Sequence, residues 1–72
     1  MNDRNRRIVL DRCRRRLAGY GRRLRVPRDH ALREIEGIRV LDQSGAVLET
    51  HPDAWALAHR LGLKDLPAME AN

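Results

Sequence analysis

The first third of the chain repeats apolar residues in steps of three and four, which is the spacing of one helix face. These residues are Leu10, Cys13, Leu17, Tyr20 and Leu24. Residues 4–18 contain no Gly or Pro and are rich in good helix formers. The pattern therefore predicts a long N-terminal amphipathic helix that is rich in arginine.

The apolar spacing keeps its phase through Gly19-Tyr20-Gly21, which favours a single helix that reaches about residue 24. Each glycine costs about 0.5–1 kcal/mol relative to alanine inside a helix, so a bend or break at this point is the alternative. Pro27 ends the helix in either case, because a residue that precedes proline avoids helical angles.

A short second helix is predicted for residues 30–36. Asp29 is the expected N-cap, Leu32 and Ile35 share one face, and Gly37 supplies a left-handed C-cap. An extended conformation of this segment is the alternative.

A two-stranded β-hairpin is predicted for residues 38–49. Residues 38–41 are rich in β-branched and aliphatic side chains and alternate in polarity, and residues 46–49 form the returning strand. Between the strands, residues 42–45 begin with Asp and end with Gly, as type I turns prefer.

A C-terminal helix is predicted after the hairpin. Thr50 and Asp53 resemble a capping box, Trp55 lies on the apolar face, and Gly62 followed by Leu63 indicates a Schellman stop. The predicted fold class is therefore α+β, with the order helix, short helix, hairpin, helix.

The whole chain, residues 1–72, is short enough to form one small domain. We divide it into a basic helix (1–26), a helix-hairpin-helix body (27–66) and a tail (67–72). The expected core consists of Leu17, Leu24, Leu32, Ile35, Ile38, Val40, Val47, Trp55, Ala58 and Leu61.

Charge is distributed unevenly along the chain. The net charge is +5, but residues 1–28 contain eleven Arg and two Asp, a net +9, whereas residues 29–72 carry a net −4. A basic segment joined to a mildly acidic body favours a polyanionic partner for the basic part.

Arginine suits phosphate because its guanidinium group is always charged and can direct two donors to phosphate oxygens. We therefore expect a small regulatory protein that binds duplex DNA or structured RNA. Few aromatic residues are present to stack on single-stranded bases. The expected phosphate contacts are Arg12, Arg14, Arg15, Arg16, Arg22 and Arg23. The alternative is a small adaptor or inhibitor that docks this helix on an acidic protein surface.

The apolar seam has two interpretations. Leu10, Leu17 and Leu24 are seven residues apart, which would allow self-association into a homodimer. The pattern covers only about two heptads, however, and a helix packed on its own domain produces the same seam.

Residues 58–63, AHRLGL, resemble the turn of a helix-turn-helix DNA-binding unit. The segment that would form the recognition helix, residues 64–72, is interrupted by Pro67 and carries two acids and one base. A Schellman C-cap explains the same residues, and we prefer it.

The sequence contains no catalytic constellation. His30, His51, His59 and Cys13 lack zinc-site spacing, and no glycine-rich phosphate loop is present. We expect a protein that is not an enzyme, with no cofactor and no metal. The single Cys13 and the absence of a long apolar run favour a cytoplasmic location without a membrane span.

Overall fold

A computed structural model describes residues 4–29 and 36–69. The elements are α1 (Arg4–Ala18), β1 (Arg23–Arg25), β2 (Ile38–Leu41), β3 (Val47–His51) and α2 (Ala54–Arg60). The predicted α+β class is confirmed, but the antiparallel sheet has three strands rather than two. Residues 30–35 of the predicted helix at 30–36, with Leu32 and Ile35, lie outside the described residues.

Helix α1 ends at Ala18, so the prediction of a helix to residue 24 is wrong. The main-chain N–H of Arg22 donates to Leu17 O at 2.9 Å, and that of Gly21 donates to Ala18 O at 3.1 Å. These two bonds form a Schellman motif, and Gly21 adopts the positive φ of 71° that the motif requires.

Strand β1 replaces the last turn of the predicted helix. It pairs antiparallel with β2, and Leu24 lies opposite Val40. Leu24 therefore packs against the core as expected, although from a strand rather than a helix.

The predicted hairpin is confirmed by antiparallel pairing of β2 with β3. In its turn, Gly45 N–H donates to Asp42 O at 3.1 Å. The register shifts between Val40 and Leu41. Val47, which was expected in the core, is 53% exposed.

The start of α2 differs from the predicted capping box. Asp53 is the N-cap and accepts a hydrogen bond from Ala56 N–H at 2.8 Å, whereas Thr50 lies in β3 opposite Arg39. The predicted stop is confirmed, because Leu63 N–H donates to Ala58 O at 3.0 Å and Gly62 has a φ of 75°.

No helix follows Gly62 in the described residues 63–69, so the resemblance to a helix-turn-helix unit does not extend to a recognition helix. The segment instead packs back on the domain. Trp55 Nε1 donates to Pro67 O at 2.7 Å, and the side-chain amide of Asn5 donates to Ala68 O at 3.1 Å.

One buried cluster joins both helices to the inner face of the sheet. Its members are Val9, Leu10, Cys13, Leu17, Ile38, Val40, Ala54, Leu57 and Ala58. Of the expected core residues, Leu17, Ile38, Val40 and Ala58 are buried, and Leu24, Trp55 and Leu61 pack partly buried against the cluster.

Candidate nucleic-acid interface

Helix α1 turns one narrow face to the core and carries arginine around it. Its four buried residues are Val9, Leu10, Cys13 and Leu17. The charged positions flank this face on both sides because 3.6 residues make one turn. The expected phosphate contacts on α1 are therefore divided between two flanks of the helix.

The first flank forms a groove with the segment that follows α2. We call this the arginine groove, and its lining residues are Arg12, Arg15, Arg16, Gly19, Tyr20 and Leu63. No carboxylate is among these lining residues, and Tyr20 is 61% exposed. The groove therefore combines three guanidinium groups with one accessible aromatic ring.

Two arginines of the groove also hold the fold together. Arg12 Nη1 donates to Asp65 O, and Arg16 Nη1 donates to Leu61 O, each at 3.1 Å. A guanidinium group has five N–H donors, so each of these side chains keeps donors for another acceptor. The hydrogen bonds restrict both groups before any ligand arrives, which lowers the entropy cost of binding.

The Arg15 side chain has neither a hydrogen bond nor an ion pair with a described residue. It is exposed on α1 between Arg12 and Arg16 in the wall of the groove. Its entire donor set is therefore available to a ligand.

Arg14 lies on the other flank of α1. It pairs with Asp11 at 3.5 Å, and both side chains are more than half exposed, so the pair contributes little to stability. A separate cleft is lined by Arg6, Arg7, Leu10, Asp11, Arg14, Val26, Pro27 and Arg28. We call it the basic cleft.

Arg22 and Arg23 do not extend the helix surface, because α1 has already ended. Arg22 Nη1 lies 4.0 Å from a carboxylate oxygen of Glu49, and Arg23 Nη2 donates to Gln43 O at 3.3 Å. The structure thus distributes the six expected arginines over separate locations rather than on one surface.

The apolar seam of Leu10, Leu17 and Leu24 lies mostly in the core of the chain. Leu10 is 7% exposed and Leu17 is 1% exposed, while Leu24 is partly buried on β1. A second copy could not pack on Leu10 and Leu17 without opening this core. Packing of α1 on its own domain therefore explains the sevenfold spacing of these leucines.

Two further arginines lie on the sheet and were missed from the sequence. Arg25 in β1 stands directly opposite Arg39 in β2. Arg39 alternates with Ile38 and Val40 in the predicted strand, so its outward direction could have been inferred. The outward direction of Arg25 could not have been inferred, because Arg25 was assigned to the end of the helix.

Cys13 is fully buried and its thiol donates to Ala54 O at 3.8 Å. Burial raises the pKa of the Cys13 thiol, and the positive charge of Arg12 offsets only part of this effect. A raised pKa keeps the sulfur protonated and unreactive, so Cys13 is a packing residue.

Within residues 4–29 and 36–69, no group of three His, Cys, Asp or Glu side chains could hold a metal ion. In the same part of the chain, neither helix has the length and apolar character needed to cross a bilayer. No family model, curated protein or solved structure matches this chain.

Proposed function

We propose that this protein binds duplex DNA or structured RNA through phosphate contacts and catalyses no reaction. The observation that carries the proposal is the arginine groove, where three guanidinium groups line one surface without a carboxylate among them. Such a surface attracts the polyanionic backbone of a nucleic acid and releases its counterions.

The groove suits phosphate rather than base recognition. Arg12 and Arg16 are held by main-chain oxygens, and Arg15 lines the same groove with all of its side-chain donors unused by described residues. Forked donation to phosphate oxygens fixes a protein on the backbone but carries no sequence information. We therefore propose binding with little sequence preference.

The uneven distribution of charge along the chain orients the protein on a polyanion. Residues 1–28 carry a net charge of +9 and residues 29–72 a net charge of −4, so a polyanion is attracted first to the basic segment. Association is then steered towards α1.

The test is a titration of a fluorescent DNA duplex and an RNA hairpin with the protein over a range of salt concentrations. If the three arginines of the groove contact phosphates, log K should fall against log[salt] on duplex DNA with a slope of about −3. Arg15→Gln should weaken binding and make this slope about one unit shallower.

The matched control is Arg60→Gln. It removes the same charge from α2, where the Arg60 side chain is 68% exposed and Nε lies 3.6 Å from a carboxylate oxygen of Glu49. This variant should bind nearly as the wild type does. Equal weakening by both variants would show that net charge alone acts, and an absence of salt-sensitive binding at low ionic strength would overturn the proposal.

A pull-down from nuclease-treated lysate tests the alternative ligand. If a protein partner is retained after nuclease and lost with Arg15→Glu, while the purified chain binds no duplex, the ligand of the groove is an acidic protein instead.

A further inference from the structure

We infer that the outer face of the sheet is a second phosphate-binding surface, so that one molecule holds two duplex segments on opposite sides. The inference rests on the proposed function of the arginine groove. It adds a bridging activity that the groove alone would not have.

The direction of the side chains follows from strand geometry. Ile38 and Val40 are buried beneath the helices, so Arg39 between them points to the other face of the sheet. Leu24 packs against the core from β1, so Arg23 and Arg25 on either side of it point outward as well. Three arginines of two neighbouring strands therefore share the outer face.

Among the described residues, the charges of Arg25 and Arg39 are not neutralised by a carboxylate. Arg25 lies directly opposite Arg39, and the residue that faces Arg39 from β3 is Thr50. The side chains of Arg25 and Arg39 form no ion pair or hydrogen bond with a described residue. Like charges in directly opposite positions destabilise a sheet, so an anionic ligand that bridged the two guanidinium groups would relieve this repulsion.

The carboxylate nearest in sequence does not reach this face. Glu49 lies opposite Val40, whose side chain is on the inner face, and Glu49 pairs with Arg22, His51 and Arg60. Arg25 and Arg39 are therefore not neutralised by the acid of β3.

The second surface requires a second segment of nucleic acid. Both helices contribute to the single core cluster on the inner face, so this core separates the arginine groove from Arg25 and Arg39. The radius of gyration of the chain is 11.8 Å, whereas duplex DNA has a persistence length of about 500 Å. One duplex cannot bend around so small a domain to occupy both faces.

The experiment measures co-capture of two duplexes. The full chain is bound to a biotinylated duplex on beads at low salt, and a fluorescent duplex of different sequence is then added. The wild type should retain the fluorescent duplex and release it as salt is raised. The double variant Arg25→Gln/Arg39→Gln should bind the immobilised duplex within about threefold of wild type but lose co-capture at least about fivefold.

Two control variants make the result specific. Arg60→Gln/Lys64→Gln removes the same two charges elsewhere and should preserve co-capture, and Arg25→Lys/Arg39→Lys should preserve much of it. Circular dichroism of each variant reports folding independently of binding.

The inference is overturned if the wild type binds the immobilised duplex but captures no second duplex. It is also overturned if Arg25→Gln/Arg39→Gln captures as much as wild type, or if the charge-matched control loses co-capture equally. Failure of the wild type to bind even the immobilised duplex would instead refute the proposed function, and the inference with it.

Discussion

Arg16 of α1 donates a hydrogen bond from Nη1 to the main-chain oxygen of Leu61 at 3.1 Å. Leu61 is the C-cap of α2, where a carbonyl group has no acceptor role within its own helix. Arg12 binds Asp65 O in the same way. Arg12 and Arg16 therefore both line the arginine groove and hold the segment that follows α2.

This double role predicts a stability cost for Arg16→Gln. Loss of the guanidinium donor removes a charge-assisted bond to an exposed carbonyl, so the free energy of unfolding should fall by about 0.5–1.5 kcal/mol. Urea denaturation followed by circular dichroism measures the change.

Arg15→Gln is the control, because the Arg15 side chain has no hydrogen bond or ion pair with a described residue. Its effect on stability should lie within about 0.5 kcal/mol. A destabilisation by Arg15→Gln as large as that by Arg16→Gln would contradict the assignment of the structural role to Arg16.

Gly37, which precedes β2, should not tolerate a side chain. Its φ is +72°, and a Cβ atom would lie against the carbonyl oxygen of His51, closer than van der Waals contact allows. Both atoms belong to the main chain or are fixed to it, so Gly37→Ala must displace β2 from β3 and should cost more than about 2 kcal/mol.

The matched variant is Gly62→Ala. Gly62 also has a positive φ, of 75°, but nothing lies within 4 Å of a Cβ atom placed there. We expect a cost of about 1 kcal/mol from the backbone conformation alone. Equal melting temperatures of the two variants would argue against the close approach of His51.

The buried thiol of Cys13 predicts a loss of stability at alkaline pH. Burial raises the pKa of Cys13, so the unfolded chain releases this proton at lower pH than the folded protein does. The protonated thiol contributes its full stabilisation below about pH 8.5, the ordinary pKa of a thiol. This stabilisation is lost as the pH rises through the pKa of Cys13 in the folded protein.

Cys13→Ala tests this directly. The variant loses packing at every pH, but its free energy of unfolding should decline less than that of wild type as the pH rises above about 8.5, the ordinary pKa of a thiol. Parallel pH profiles for the two proteins would refute the role of the thiol.

Asp42 predicts the opposite dependence at acidic pH. The Ser44 hydroxyl donates to Asp42 Oδ1 at 2.6 Å, and the main-chain N–H of Ala46 donates to it at 3.0 Å. These bonds favour the carboxylate and lower the pKa of Asp42. The hydrogen-bonded Asp42 carboxylate therefore stabilises the fold above about pH 4, and this stabilisation is lost as the pH falls through the lowered pKa.

NMR titration of the Asp42 carboxyl should show this lowered pKa in the wild type. In Ser44→Ala the value should return part of the way to the ordinary one, because the hydroxyl donor is gone while the main-chain donors remain. An unchanged titration would show that the Ser44 hydroxyl has no effect.

The sequence predicted the hairpin and the end of α2 because both depend on local signals. Asp42 to Gly45 supply the turn, and Gly62 with Leu63 supplies the Schellman stop. A Schellman motif with Gly21 at its positive-φ position also ends α1. It was not predicted, because Leu17, Tyr20 and Leu24 keep the spacing of a continuous helix. Tyr20 is exposed, and Leu24 reaches the core through a strand.

The remaining differences arise from contacts between distant parts of the chain. Strand β1 contains only three residues, and its partner β2 begins at Ile38, so no local pattern indicates it. Strand β3 extends to His51 because that residue pairs with Ile38, and this displaces the helix cap from Thr50 to Asp53. The structural role of Arg12 and Arg16 could not be predicted either, since their side chains donate to carbonyl oxygens about fifty residues away in the sequence.

The opposed pair Arg25 and Arg39 predicts that a charge reversal stabilises the fold. Arg39→Glu replaces like charges by an attractive cross-strand pair on the outer face of the sheet. The free energy of unfolding should rise by about 0.2–1 kcal/mol, and less at high salt, because such pairs are worth this much and are screened. Arg39→Gln, which only removes the repulsion, should give a smaller gain. Under the proposal of a second phosphate-binding surface, both variants should also lose affinity on the outer face. A fall in stability for Arg39→Gln and Arg39→Glu alike would show that Arg39 has a structural partner, and would remove the electrostatic argument for a ligand there.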